Sequence, residues 1–248
     1  MTLNVIGVFN DAWKLWKRDR ELLIGVAGFF LFVPQLALKL FVPLPPDLPD
    51  FGDAAKLRAW VDAAESWSSQ YSLIVILLWL VTLFGSVAVF TLYLDPDRPE
   101  ARRALARALR LSPRFLLLTI LVALPVQFGL IFLLLPGFYA QGRLLLALPA
   151  VVAEQPQGAL ASISRSLALT RGHGMVLAGM GCIVLLAGDL LSRPFIAIGR
   201  MLGGAPMANP VVAGLLDTGA AAGVTVALLG GILIQVALYR RLVSSRGI

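Results

Sequence analysis

The sequence predicts an all-α protein, a polytopic transmembrane bundle of about six spans with amphipathic helices lying at its interface. Composition comes first: 58% of the 248 residues are hydrophobic and 14% charged, with a mean hydropathy of +0.85. A soluble globular domain averages about 45–50% apolar and about 25% charged, so a water-soluble reading fails at once. Second, long apolar segments follow one another along the whole chain, separated by short stretches rich in proline, glycine or charge. Each span uses about 20 residues, which leaves room for a single membrane domain over residues 1–248. Third, the positive charge behind the net +7 sits in short runs beside those segments, where orientation signals and anionic headgroups put it. That placement argues against nucleic acid as a partner.

Residues 1–20 carry Leu3, Ile6, Phe9, Trp13 and Trp16 at three- or four-residue steps, with Asn10, Asp11, Lys14, Lys17 and Arg18 around the rest of the wheel. This pattern predicts an amphipathic interfacial helix, the alternative being a soluble helix that covers the bundle. Its positives follow the mildly hydrophobic part instead of preceding it, unlike a cleaved signal sequence. The first span covers 22–42, with a kink expected at Pro34 and Gln35 and Lys39 in its second half. The proline-rich, acidic stretch from 43 to 53 is not helical, and 54–70 forms either a short surface helix or a polar connection. The second span, 73–94, stops at Asp95-Pro96-Asp97-Arg98-Pro99, whose prolines end a helix. In 99–113 the residues Arg102, Arg103, Arg107 and Arg110 alternate with Ala104, Leu105, Ala108, Leu109 and Leu111, which suits a helix resting on an anionic face.

The third span is 115–135, and Pro136-Gly137 after it is a turn signal. The fourth, 138–153, is short for a span and carries Gln141 and Arg143, so it returns as a tight hairpin; were it re-entrant, all later segments would invert. Residues 154–174 are amphipathic, 175–191 form the fifth span, 192–210 a loop rich in glycine and proline, and 211–239 the sixth. Glycine is frequent in the last two spans, and Gly219-Ala-Ala-Ala-Gly223 is a G-x-x-x-G motif that brings helices together within one chain or between copies.

Positive residues are retained on the cytoplasmic side. With the N-terminus inside, the inner segments hold Lys14, Lys17, Arg18, Arg20, Arg98, Arg102, Arg103, Arg107, Arg110, Arg114, Arg165, Arg171, Arg240, Arg241 and Arg246, whereas the outer ones hold Lys56, Arg58, Arg193 and Arg200. The imbalance puts both termini in the cytoplasm of a multi-pass inner-membrane protein. Trp13, Lys14, Trp16, Lys17, Arg18, Arg102, Arg103, Arg107 and Arg110 are then the expected lipid-headgroup contacts, and anionic lipids on the cytoplasmic face the expected partners, beside protein partners or self-association through the glycine-rich helices.

Ionisable residues within spans are costly and mark candidate sites. Arg143, Asp189 and Asp217 all fall on the outer side of this topology, which predicts that Arg143 pairs with one or both carboxylates. That cluster is read either as a structural ion pair or as a polar site of a small transporter or lipid flippase. Gln35, Gln127, Gln141 and Gln235 are expected to hydrogen-bond between helices. Chemistry is otherwise absent. His173 and Cys182 are the sole histidine and cysteine, which excludes a multi-His or multi-Cys metal centre and a disulfide within the chain. Ser162, Ser164 and Ser166 lie in no G-x-S-x-G elbow. No catalytic residues, metal or cofactor are expected, and the reading is of a non-enzymatic protein.

Glu154, Arg165, Thr170, Arg171 and His173 are expected to build a cytoplasmic corner. Pro149 would bend the fourth helix, Glu154 would meet Arg165 or Arg171 at the surface, and cations with a following glycine would end the next helix. Around this corner the order Pro136-Gly137, Arg143, Pro149, Glu154, Ala159-Leu160, Ser166, Leu169-Thr170, Gly172-His173 resembles the bacterial membrane family described as the glycerophosphoryl diester phosphodiesterase membrane domain, with the related YciC-like proteins. The resemblance covers about forty residues. It implies a membrane domain sometimes joined to a separate catalytic one and does not imply that this chain is an enzyme. A role in envelope maintenance, or as an accessory subunit of a larger membrane complex, fits the same picture.

Overall fold

The computed structural model describes residues 3–49, 52–95, 97, 100–132, 134–203 and 209–245. Arg98, Arg246 and part of the stretch 192–210 therefore lie outside the described residues. Within them the chain is a bundle of α1 (Val5–Ala27), α2 (Val33–Phe41), α3 (Ala54–Leu94), α4 (Ala101–Phe132), α5 (Leu134–Leu144), α6 (Ala147–Ala153), α7 (Ala159–Leu169), α8 (Gly174–Met201) and α9 (Pro210–Ser245), with one π-helical turn, Gly28–Phe32, between α1 and α2. No strand occurs among the described residues. Six stretches are long and apolar enough to cross a membrane: Val5–Phe41, Ala54–Leu94, Ala101–Ile131, Leu135–Ala153, Gly174–Met201 and Pro210–Ser245. This is a multi-pass membrane protein.

The Asn4 side chain accepts the Gly7 N–H at 2.9 Å and caps α1. The helix bends at Asp19, whose φ and ψ of −119° and 25° are not helical, so the amphipathic stretch and the first span are separate rods, as the change in pattern near residue 20 predicts. Pro34 acts one turn earlier than a simple kink. It has no N–H for the carbonyl of Phe30 and its ring crowds that oxygen; the preceding turn widens into the π segment, where Val33 N–H bonds Gly28 O. The widened turn lies against Gly85 of α3, where a Cβ would overlap the Cβ of Phe30.

Residues 54–70 are helical and continuous with the second span. Asp53 caps α3 by accepting from Ala55 N and Lys56 N at 2.9 and 3.3 Å. At 1.5 Å per residue its 41 residues reach about 62 Å, twice the roughly 30 Å hydrocarbon layer. Residues 43–49 before it carry no regular secondary structure and are tied along α3 by the indole N–H groups of Trp60 and Trp67, donated to Pro46 O and Pro43 O.

Several boundaries differ from the sequence expectation, and the arginine-rich stretch runs without a break through Pro113 into the third span as α4. The chain turns before Pro136-Gly137, because proline is at home in a first helical turn and Gly137 serves as a crossing point. A Cβ there would overlap the backbone of Gly129 and Leu130 in α4. The expected loop after 191 is instead helix as far as Met201, running through Pro194. The fifth span is therefore longer than its apolar core and carries Arg193 and Arg200.

α8 and α9 form the most extensive pair in the bundle. Gly219 takes the Phe195 ring, Gly223 the backbone of Leu191, and Gly231 the Val184 side chain. The G-x-x-x-G face is thus occupied within the chain and does not offer itself to a second copy. Burial is concentrated at the end of the bundle that holds the start of α1 and the finish of α9. On α3 the buried residues begin at Leu83, on α4 they stop at Leu118, and on α9 the nearly continuous run is Leu229 to Leu242. Away from that end the helices keep mostly half-buried or exposed faces.

Gly223→Leu should therefore lower the melting temperature in mild detergent by an overpacking cost of about 1–3 kcal/mol. Gly214→Leu, at a position where a Cβ meets nothing within 4 Å, should leave it unchanged.

Candidate functional site

Where the sequence predicts one short fourth helix, the structure has two, broken at Leu145 and Leu146 between α5 and α6. Pro149 causes the break a turn before itself: it cannot donate to Leu145 O, and its ring displaces that carbonyl. A break orphans backbone groups that no lipid can satisfy. α7 supplies the partners. Ser166 Oγ donates to Arg143 O at 2.8 Å and accepts from Leu146 N at 3.2 Å, while Thr170 Oγ1 lies 3.1 Å from Arg143 O and 2.7 Å from Ser166 O. Both hydroxyl-bearing residues are fully buried. The Arg143 guanidinium returns the contact, donating from Nη2 to Leu167 O at 2.8 Å. That oxygen is among the last carbonyls of α7, which lack helical partners, so the cation caps the negative end of the α7 dipole.

This arrangement corrects the expected intramembrane cluster. Arg143 pairs with neither Asp189 nor Asp217. The end of α5 lies against the start of α8, with Gly142 packed on Gly174 and Ala178, and Asp189 is eleven residues farther along α8, about 16 Å. Asp189 instead bonds Arg193 on its own helix, Arg193 Nε to Oδ2 at 2.7 Å, and Asp217 sits half-buried on α9.

Of the expected corner, the contact between Glu154 and Arg165 is present. Glu154 Oε1 accepts from Arg165 Nε at 2.6 Å and from the Tyr239 hydroxyl at 2.5 Å, and Oε2 from Gln157 Nε2 at 3.0 Å. Arg165, not Arg171, is the partner; Arg171 is exposed. Thr170 closes α7, Gly172 takes a positive φ of 84°, and the His173 carbonyl accepts from Leu177 N in the first turn of α8. Tyr239 joins this corner to α9, a contact that no local pattern signals.

Further ionic ties join the same end. Arg241 Nε donates to Asp11 Oδ2 at 2.6 Å, and Gly7 makes room for that guanidinium. The Tyr93 hydroxyl donates to Asp19 at 2.9 Å, Arg240 to the Tyr93 carbonyl, and Arg107 to both Asp95 at 2.9 Å and Asp97 at 2.8 Å. The expected headgroup residues consequently divide. Arg18 is held by Asp19 and Arg107 by the α3–α4 connection, and Trp16 packs against the core. Trp13, Lys14, Lys17, Arg102, Arg103 and Arg110 are exposed, with the Lys17 ammonium 5.5 Å from the Trp13 ring.

Above the broken helix lies a cavity of about 480 Å³ between α3 and α4 on one side and α8 and α9 on the other, floored by α5 and α6. Gln141, Gln235, Thr82, Ser86 and Thr119 give it polar points on a mainly apolar wall, and Trp79 and Asp189 also line it. Along α9 it reaches from Gln235, one turn inside Tyr239, to Val224, about 16 Å away. No group of residues suited to hold a metal occurs among the described residues.

No protein-family model matches the chain, and no curated protein or solved structure does either.

Replacing Ser166 by Ala together with Thr170 by Val removes the polar partners of Arg143 O and Leu146 N. Each unsatisfied buried group costs about 1–3 kcal/mol, so the double variant should melt markedly lower in detergent, and the pair Ser166→Ala with Thr170→Ser, which keeps a hydroxyl beside Arg143 O, should lose less.

Proposed function

We propose that the chain is a non-enzymatic, multi-pass protein of a bacterial inner membrane, with both termini in the cytoplasm, that works by binding lipid and has a part in maintaining the envelope. The observation that carries this reading is the division of the cations at the terminal end. Arg18, Arg107, Arg165 and Arg241 are engaged by carboxylates and Lys14 lies 3.8 Å from Asp11 on its own helix, whereas Lys17, Arg102, Arg103 and Arg110 project outward from α1 and α4. Outward cations beside an apolar rod are placed to meet anionic headgroups, each worth about 1 kcal/mol near such a surface. The positive-inside pattern supports the orientation. The likeness of the segment from Pro136 to His173 to the membrane-domain family supports a bacterial setting.

A second reading, a small lipid flippase or transporter, is favoured by one observation: the cavity between the helix pairs. Its polar lining is Gln141, Gln235 and the hydroxyls of α3 and α4. Arg143 and Asp217 play no part in it.

Lipid retention tests the leading reading. By native mass spectrometry after mild extraction from vesicles of equal phosphatidylglycerol and phosphatidylcholine, the protein should keep phosphatidylglycerol in excess. With Lys17, Arg102, Arg103 and Arg110 all changed to Gln, that excess should disappear at unchanged fold. Equal retention of both lipids by the unaltered protein would refute the proposal.

A further inference from the structure

The cavity has a chemical preference that its lining residues spell out. Thr82 Oγ1 donates to Leu78 O at 3.0 Å, Ser86 Oγ to Thr82 O at 3.0 Å, and Thr119 Oγ1 to Phe115 O at 2.8 Å. Each hydroxyl has one proton and spends it on its own helix, so what it has left to offer is lone pairs. The Oε1 atoms of Gln141 and Gln235, both of the lining, are enclosed and find no donor among the described residues. Three hydroxyl acceptors and the two glutamine side chains thus line one cavity. Among the described residues the side-chain N–H groups at the wall are the amides of the same two glutamines and the Trp79 indole, no lysine, arginine or histidine lines it, and its one ionisable side chain is the carboxylate of Asp189.

We propose that this cavity binds the hydrogen-bond-donating end of an amphiphile, a primary ammonium or a hydroxyl group, with the alkyl chain lying along the apolar wall of α8 and α9. Unpaired amide oxygens in a low-dielectric interior are costly until a donor reaches them, and a ligand that brings one removes that cost. An anionic group finds no cation among the described lining residues, and Asp189 is already held by Arg193. A quaternary ammonium carries charge but no N–H, so it cannot satisfy the acceptors. The site is separate from the cationic terminal end, and its ligand class is independent of whether that end meets anionic lipid.

The test uses four single-chain probes of equal length, 1-dodecanol, dodecylamine, dodecyltrimethylammonium and dodecanoate, added to the full-length protein in a non-ionic detergent. Binding is followed by native mass spectrometry and by melting temperature. The amine, the alcohol or both should form a saturable one-to-one adduct and raise the melting temperature, with the other two at least tenfold weaker. Amine alone would assign the ligand to the ammonium class, alcohol alone to the hydroxyl class. Gln141→Met and Gln235→Met keep the side-chain length while deleting the acceptor. Each should weaken the preferred probe at least tenfold and leave the ligand-free melting temperature equal or higher, because an unsatisfied amide is removed. Were these glutamines structural hydrogen bonders, the ligand-free protein would melt lower instead. Binding of trimethylammonium or dodecanoate as strong as that of the donor probes, no saturable adduct with amine or alcohol, or donor binding unchanged in both variants would overturn the proposal.

Discussion

Every backbone N–H and C=O within a membrane must find a partner inside the protein, and the break at Leu145 and Leu146 is where this chain meets that demand with side chains instead of helix. Ser166 and Thr170 serve Arg143 O and Leu146 N, and the Arg143 guanidinium serves Leu167 O in return. The exchange fixes α7 across the broken rod. Once α7 is fixed, Arg165 is positioned for Glu154, and Glu154 for the Tyr239 hydroxyl. A single proline-induced interruption thereby ties α5, α6, α7 and α9 into one corner.

The corner accounts for the uneven packing of the bundle. Its ionic ties gather at the end where α1 begins and α9 finishes, together with Tyr93–Asp19, Arg241–Asp11 and Arg107–Asp95. Most of the fully buried side chains are there too, Phe90, Leu118, Leu146, Leu169 and Leu238 among them. Because α5 and α6 close the space between the two helix pairs at that end, the pairs stand apart above it and leave the cavity. The lipid-binding role proposed above would draw on the outward cations of the joined end, and the proposed amphiphile site on the acceptors of the cavity.

Hydrophobic run length pointed to the membrane class and to the six stretches that are long and apolar enough to cross a membrane, the fourth being the shortest. The change of period near residue 20 gave the bend at Asp19, and the acidic and basic residues around 154–173 gave the Glu154–Arg165 pair. Arg143 meets neither Asp189 nor Asp217, because the fourth segment is broken at Leu145 and Leu146 and the guanidinium turns to Leu167 O. Pro149 acts on the carbonyl four residues before it, and that effect relocates Arg143 to the corner. Proline also misled at Pro136 and Pro194, which sit inside helices that tolerate them through first-turn placement or neighbouring support. Contacts made over long separations, such as Tyr239 with Glu154 and Arg241 with Asp11, follow from the packing and have no local pattern to betray them.

The central claim is that the bundle is locked at its terminal end and open above the broken helix. Electron–electron distance measurement between paired spin labels, on a Cys182→Ala background in lipid nanodiscs, addresses it directly. One pair at Leu109 and Leu160 reports on the locked end, and another at Leu77 and Leu186 on the helices flanking the cavity; all four positions are exposed. The account predicts a narrow distribution for the first pair and a broad one for the second that sharpens when the cavity is filled. Equally narrow distributions at both ends, unchanged by ligand, would contradict it.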